Sequence, residues 1–234
     1  MVIIYDFDGT LTPYSLPQYK IIKECGFDDT KYMNSVKQLM NTHKLSMYVA
    51  YFQTYITILQ NNNKKFNIEN ICLGASNVQF NKGVFEYFFD LQYAKTNIKH
   101  YVLTSGFEDY VKFTSISPYL NGVFGTTLKV TDSKNLEIDS LMSDKYKVEI
   151  IKEIQKSNNI SGSDIVYFGD GLTDQYAFEF VHSIGGKSIF VCDNISENSS
   201  YKTLKNLRII DYCFENDFSK TSNIYKFVKS LNKN

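Results

Sequence analysis

Residues 2–12 read VIIYDFDGTLT, and the interpretation of the whole chain starts from this stretch. Val2–Phe7 is a short apolar run rich in β-branched residues, which is the pattern of a strand buried on both faces. Asp6 and Asp8 fall at its carboxyl end, and two carboxylates two positions apart on an extended chain point the same way. Gly9 lets the chain turn sharply and exposes backbone N–H groups to an anion. An isolated Asp-x-Asp pair is usually part of a solvated turn or a helix cap. A functional role for Asp6 and Asp8 therefore needs support from the other motifs.

From about residue 81 the sequence alternates between helical and extended patterns. Extended patterns occupy His100–Thr104, Gly122–Val130, Asp164–Phe168 and Ser188–Cys192, and helical patterns occupy Gly83–Tyr93, Phe107–Phe113, Lys145–Lys156 and Asp174–His182. Strands separated by helices of this length predict a parallel sheet with right-handed crossovers. The predicted fold class is therefore α/β, with a Rossmann-like core built on a parallel sheet.

Residues 14–80 do not continue this alternation, and they predict an inserted α-helical domain. Met47–Leu59 is apolar around much of a helix, which indicates packing between neighbouring elements. The polar run Asn61–Lys65 is the clearest break in this part of the chain. We expect residues 1–13 and 81–234 to form the catalytic core, with residues 14–80 as a cap over the carboxyl edge of the sheet.

Polar residues end two further predicted strands. Thr104 and Ser105 close one strand, and Thr104 is preferred as a contact residue because it directly follows the apolar run. Asp170 and Asp174 lie four positions apart at a strand-to-helix turn. In an open parallel sheet, ligands bind outside the carboxyl ends of the strands, so these groups should meet the first pair of carboxylates.

A lysine near the start of a helix completes the set. Lys145 and Lys147 both lie there, and the Lys-x-Glu pattern with its spacing to Gly-Asp-Gly favours Lys147. The alternative is that Lys147 is an ordinary, exposed lysine on the surface of its helix. If Lys147 faces inward, the carboxyl edge of the sheet combines acids, a hydroxyl and one positive charge.

Together these segments resemble the motifs of the haloacid dehalogenase superfamily, in its phosphatase branch. The resemblance covers DFDGTLT at residues 6–12, VLTSG at 102–106, KVEIIKEI at 147–154 and GDGLTD at 169–174. The long gap between the first two motifs resembles the helical cap of the type-one members, which include phosphoserine phosphatases. The resemblance thus implies a core of the haloacid dehalogenase type and a phosphatase activity.

The resemblance also implies roles for the acids. Asp6 would be the nucleophile that forms an aspartyl-phosphate, and Asp8 would protonate the leaving alcohol and later accept a proton from water. Mg²⁺ would bind the carboxylates of Asp6 and Asp170 and the backbone carbonyl of Asp8, with Asp174 contacting it directly or holding its ligands. Hard oxygen donors suit this ion.

The substrate phosphate would be held by groups around these acids. The resemblance assigns Lys147 and the Thr104 hydroxyl to the phosphoryl oxygens, helped by the backbone amides of residues 7–9, Gly9 included, and of Ser105. Positioning and charge stabilisation are most of what phosphoryl transfer needs from a protein.

Composition restricts the partners. Lys and Arg together number 25 and balance 25 Asp and Glu, whereas binders of nucleic-acid polymers usually have a basic excess. The four cysteines form no Cys-x-x-Cys pair, which argues against a disulfide scaffold or a zinc site. The first residues do not resemble a signal peptide, and no stretch approaches the ~20 apolar residues that span a bilayer. We therefore expect a cytoplasmic protein without a membrane partner; the sequence does not determine its oligomeric state.

The leading hypothesis is a Mg²⁺-dependent phosphomonoester hydrolase that acts on a small phosphorylated metabolite. Phosphoserine hydrolysis is an alternative, although residues 14–80 contain no arginine to bind the substrate carboxylate as the resembling enzymes do. A phosphotransferase would use the same residues. A non-catalytic descendant that binds phosphorylated ligands would be expected to have lost at least one of the acids, and all of them are present.

Overall fold

The computed structural model describes residues 1–13, 21–94, 96–131 and 135–231. Within these ranges seven strands are formed: β1 (Val2–Tyr5), β2 (Lys99–Phe107), β3 (Gly122–Val130), β4 (Leu136–Ser140), β5 (Ile165–Gly169), β6 (Lys187–Cys192) and β7 (Tyr212–Glu215). Ten α-helices accompany them in the same ranges: α1 (Ile21–Glu24), α2 (Asp29–His43), α3 (Met47–Asn61), α4 (Ile68–Ala75), α5 (Val84–Tyr93), α6 (Glu108–Lys112), α7 (Asp144–Asn158), α8 (Gln175–Ser183), α9 (Ser199–Asn206) and α10 (Asn223–Leu231).

The strands form one sheet in the order β4-β3-β2-β1-β5-β6-β7. Every neighbouring pair is parallel except β3 with β4, which is antiparallel. The chain proceeds outward from β1 on one side through β2 and β3, and on the other side through β5 and β6. The direction of winding therefore reverses at β1, and ligands of such sheets bind at the carboxyl ends beside that point. The predicted α/β class with a parallel core sheet is confirmed.

Two short edge strands were not predicted from the sequence. β4 and β7 have only five and four residues, and at the sheet edges they need no continuous apolar run, so the sequence signal is weak. β2 also extends further than the pattern indicated, to Phe107, so the helix predicted over Phe107–Phe113 is shortened to α6. The extended stretch Gly122–Val130 has the predicted bounds.

The sheet is covered on both faces, because all four residues of β1 are buried and alternate in direction. Val2 and Ile4 pack into a cluster with α7 and α8, whereas Ile3 and Tyr5 join a second cluster that continues into the helices α1–α4. We call α1–α4, residues 21–75, the helical insert. It follows that insert and sheet share one continuous apolar cluster.

Phe107 at the end of β2 anchors the helical insert on the sheet. Its ring centroid lies 4.6 Å from that of Phe52, 5.6 Å from that of Tyr55 and 5.5 Å from that of Phe66. The backbone N–H of Leu136 in β4 donates to the Phe66 carbonyl at 2.7 Å. The division into a core and a cap of residues 14–80 stays a prediction, and residues 14–20 of that cap lie outside the described residues. Among the described helices, none is both long enough and apolar enough to cross a bilayer.

Three buried side chains, those of His100, Tyr5 and Tyr87, are hydrogen-bonded in a row, and they make the stability of the protein depend on pH. His100 Nδ1 lies 3.0 Å from the Tyr5 hydroxyl, which lies 2.7 Å from that of Tyr87. Burial lowers the pKa of His100 from 6.5 to about 4. The unfolded chain therefore binds the proton more readily, and the free energy of unfolding should fall as the pH drops from 6.5 to 4.

We expect His100→Gln to remove on the order of 3 kcal/mol of this pH dependence, at about 1.4 kcal/mol for each unit of pKa. Urea unfolding of both proteins at pH 7 and pH 4.5 measures it. Equal pH dependence in the two proteins would contradict the assignment to His100.

Candidate active site

A buried ammonium group joins the ends of three core elements. Lys147 Nζ, in the first turn of α7, donates to Asp6 Oδ1 at 2.9 Å and to Asp174 Oδ1 at 2.8 Å. All three side chains are less than 10% exposed. The Ser143 side chain caps α7 by accepting from the N–H of Tyr146, and this cap fixes where Lys147 falls on the helix. The structure thus brings β1, α7 and the start of α8 together at one point.

Asp174 is held on both carboxylate oxygens. Besides Lys147, Oδ1 accepts from the Tyr167 hydroxyl at 2.6 Å, and Oδ2 accepts from the backbone N–H groups of Asp170 at 3.2 Å and Gly171 at 3.3 Å. Tyr167 is fully buried in β5. Sequence reasoning missed Tyr167, because a tyrosine inside an apolar strand looks like an ordinary core residue.

The loop after β1 is shaped by glycine and held by two asparagines. Gly9 has a φ of 85°, a region that favours glycine, and a Cβ atom there would collide with the Asp170 carboxylate. The Asn81 amide donates to the Thr10 carbonyl at 2.9 Å, and the Asn216 amide donates to the Gly9 carbonyl at 2.8 Å. No sequence signal pointed to these two asparagines. The Gly9 N–H donates to the Thr12 carbonyl within the loop, so its contact with a phosphate stays a prediction.

Burial and the repulsion between carboxylates raise the pKa values of Asp6 and Asp170. Desolvation, and next the charge of Asp174, raise the pKa of Asp6 to about 7, although Lys147 partly offsets both effects. Desolvation and the charge of Asp6 raise the pKa of Asp170 well above its usual value. A hydrogen bond from the Thr10 hydroxyl, at 3.1 Å, lowers it only in part. Burial alone would lower the pKa of Lys147, but Asp174 and Asp6 raise it. One ammonium is therefore too little positive charge for this set of carboxylates.

The same acids fit a divalent metal ion. One carboxylate oxygen from each of Asp6, Asp170 and Asp174 lies within 4.8 Å of the others. Asp174 already accepts four hydrogen bonds, so Asp6 and Asp170 fit better as direct ligands, and Asp174 fits as the group that holds Lys147 and the Asp170 backbone. Hard carboxylate oxygens are the ligands that Mg²⁺ prefers. The expected contact with the Asp8 carbonyl stays a prediction.

The chain of β2 leaves its regular register where the predicted hydroxyl residues lie. Pairing with β3 is interrupted between Leu103 and Phe107, and irregularities of this kind are frequent beside active sites. Thr104 Oγ1 accepts from the Gly106 N–H at 2.9 Å, so its own proton is directed elsewhere. Thr104 and Ser105 both line the cavity described next.

A cavity of about 170 Å³ lies between these groups and the helical insert. The core contributes Asp6, Asp8, Thr104, Ser105, Gly106, Phe107, Lys147 and Thr173, and α3 contributes Met47, Tyr48, Tyr51 and Phe52. The Tyr48 hydroxyl donates to Asp144 at the start of α7, so a hydrogen bond connects insert and core beside the cavity. The insert thus forms one wall of the cavity.

Most of the predicted site residues lie at this cavity or directly behind it. Asp6, Asp8, Thr104, Ser105 and Lys147 line one cavity, and Asp170 and Asp174 lie against Asp6 behind it. The alternative lysine, Lys145, is exposed, and its Nζ lies 5.4 Å from the ring centroid of Tyr176. Geometry therefore favours Lys147.

Comparison with known proteins identifies the fold. No family model matches the chain. A protein of Borreliella burgdorferi described as uncharacterized is 23% identical over 280 aligned residues, covering 97% of this chain and 95% of that protein. A solved phosphoserine phosphatase, an analogue of its phospho-aspartyl intermediate, is 22% identical with a TM-score of 0.65, covering 98% and 97%. A HAD family hydrolase of Salmonella enterica serovar Typhi is 17% identical with a TM-score of 0.72, covering 100% and 71%. The chain has the haloacid dehalogenase-type fold with a cap.

The position of the ammonium group generates a prediction with a matched control. Lys147→Met leaves two buried carboxylates without their cation, and loss of one partner of a buried pair costs about 3–5 kcal/mol. Lys145→Met, two residues away on the surface, loses only an exposed contact with the Tyr176 ring and should change the free energy of unfolding by less than about 1 kcal/mol. Urea unfolding of both variants and the unsubstituted protein measures the two losses. Similar losses in the two variants would contradict the central place of Lys147.

The acid cluster generates a second prediction. Mg²⁺ at a hundred times its dissociation constant should stabilise the protein by about 2.7 kcal/mol, because it binds only the folded acids. For a domain of this size that is a rise of about 5–10 °C in melting temperature. Asp170→Asn should lose most of the rise, whereas Asp139→Asn, an exposed acid in β4, should keep it. An unchanged rise in Asp170→Asn would place the ion elsewhere.

Proposed function

We propose that this protein is a Mg²⁺-dependent phosphomonoester hydrolase that acts on a small phosphorylated metabolite through an aspartyl-phosphate. One observation carries the proposal: the Asp6 carboxylate lies 2.9 Å from the Lys147 ammonium at the wall of a cavity that Asp8 also lines. A carboxylate and a cation directed at one space can attack a phosphoryl group and hold its oxygens.

The chain's own residues account for each proton and bond. An Asp6 oxygen attacks phosphorus, the bond from phosphorus to the ester oxygen breaks, and Asp8 donates its proton to the departing alcohol. A water then attacks the phosphorus of the aspartyl-phosphate while Asp8 takes up the proton, and phosphate leaves Asp6. Lys147 and the Thr104 hydroxyl hold the phosphoryl oxygens in both steps, with the amides of Ser105 and Gly9 as the further expected donors.

The acid cluster supports the metal requirement. Asp6 and Asp170 would bind the ion and Asp174 would orient them, with Asp8 contributing its backbone carbonyl. The ion would supply the positive charge that a phosphate dianion needs beside so many carboxylates. Its role is proposed on the donor set alone.

The predicted cap, residues 14–80, has a role in the same proposal. Within it α3 forms a wall over the cavity, and the Tyr48–Asp144 hydrogen bond connects that wall to α7. A wall of this kind excludes bulk water from the phosphoryl group during the first step. We further propose a cytoplasmic location, since all four cysteines are free, as is usual in a reducing compartment.

Two related activities use the same residues. A phosphotransferase differs only in the acceptor for the second step, and hydrolysis is the simpler proposal. Phosphoserine phosphatase is the named activity of three similar structures, but the described cavity lining contains no arginine for the amino-acid carboxylate. We therefore retain the broader class of small phosphomonoesters.

Phosphate release tests the proposal. Hydrolysis of phenyl phosphate should require Mg²⁺ and stop with EDTA. Asp6→Asn should lower kcat by at least about 10³-fold, because the covalent route is lost, and Asp8→Asn by about 10²–10⁴-fold, because proton transfer is lost. Asp139→Asn is the matched control and should retain full activity. Release that survives Asp6→Asn would refute the mechanism, and no release by Mg²⁺-loaded protein from any ester would refute the hydrolase.

A further inference from the structure

The cavity has two chemically different ends. Its polar end holds the reacting groups of the sheet edge, and its other end is lined by rings and one thioether: Met47, Tyr48, Tyr51, Phe52 and Phe107. The four residues from α3 lie at helical spacing, so one face of α3 is turned toward the cavity. A phosphate held at the polar end would leave its ester group against this apolar end.

The positive charge at the cavity is already paired with carboxylates of the protein. Among the described residues of the lining, Lys147 is the basic one, and its ammonium contacts Asp6 and Asp174. Arg208 is the single arginine of the sequence, and it lies in the segment before β7, at the amino edge of the sheet opposite the cavity. A bidentate cation for a second anionic group is therefore absent from this described lining.

Of the two tyrosine hydroxyls at the apolar end, that of Tyr48 is directed away from an incoming anion. The Tyr48 hydroxyl donates its proton to Asp144, which brings a further carboxylate to that side of the cavity. A carboxylate on the ester group would lie against apolar side chains and near the negative charge of Asp144, without a cation beside it, which is unfavourable. An uncharged apolar group loses nothing there, and it gains contact with the rings of Tyr51 and Phe52.

Size restricts the ester group as well. The volume of about 170 Å³ is below the roughly 300 Å³ at which sites for drug-sized ligands begin. Resting on the proposed function, we propose that the substrates are phosphate monoesters of small alcohols with an uncharged, apolar body, and that α3 selects against a second anionic group. This class excludes phospho-carboxylic acids such as phosphoserine.

Matched esters test the selection directly. The aromatic pair is 4-carbamoylphenyl phosphate and 4-carboxyphenyl phosphate, and the aliphatic pair is carbamoylmethyl phosphate and carboxymethyl phosphate. Within each pair the shape is nearly the same and charge is the main difference. We expect kcat/KM of the Mg²⁺-loaded protein to be at least about ten-fold higher for the uncharged member, and phenyl phosphate to be cleaved best. Equal or reversed preference would overturn the inference, whereas cleavage of no ester would instead refute the proposed function.

A charge introduced on α3 provides the second test. Met47 is 45% exposed at the start of α3, so a longer polar side chain is tolerated there. We expect Met47→Arg to shift the ratio of kcat/KM at least about ten-fold toward the carboxylate esters. Met47→Gln, which is polar but uncharged, should leave the ratio unchanged. Should Met47→Arg fail to fold by circular dichroism, Tyr51→Lys takes its place. A folded variant with an unchanged ratio would show that α3 does not select the ester group.

Discussion

The contact of the Lys147 ammonium with two buried carboxylates is the interaction on which the rest of the site depends. Its bonds to Asp6 and Asp174 connect the end of β1, the first turn of α7 and the start of α8. A charge at such depth is tolerated only when it is paired and hydrogen-bonded. Here the pairing also fixes where the nucleophile candidate points, so stability and site geometry share one set of bonds.

Close packing makes this arrangement sensitive to small changes. Gly9 faces the Asp170 carboxylate and Gly169 faces that of Asp174, and in neither place is there room for a Cβ atom. Asp174 is thus held by backbone N–H groups on one side and by Lys147 and Tyr167 on the other, and Asp170 accepts from the Thr10 hydroxyl. The pKa values of Asp6 and Asp170 are raised for the same reason, since burial and neighbouring negative charge favour the protonated carboxyl group. A site assembled this tightly is prepared for a cation before any ligand arrives.

The sequence predicted the polar half of the site and little of the apolar half. Asp6, Lys147 and Asp170 could be placed because the carboxyl ends of neighbouring parallel strands meet at one edge. Tyr167 could not, because its hydroxyl acts from within an apolar strand. The cavity face of α3 was also beyond prediction, since that helix is apolar around much of its circumference and periodicity does not show which side is turned toward the sheet. The short strands β4 and β7 lack the apolar run that marked the central strands.

The polar and apolar halves of the site differ in predictability because they belong to different parts of the molecule, the sheet edge and α3. Groups proposed to break the ester bond belong to the sheet edge, where Lys147 links Asp6 to Asp174. Groups proposed to contact the ester body belong to α3, which reaches the core through rings such as Phe52 against Phe107 and through the Tyr48–Asp144 bond. Substitutions on the cavity face of α3 can therefore alter which alcohol is accepted without disturbing the Lys147 contacts. The polar half follows from rules common to parallel sheets, while the choice of substrate depends on side-chain packing particular to this chain.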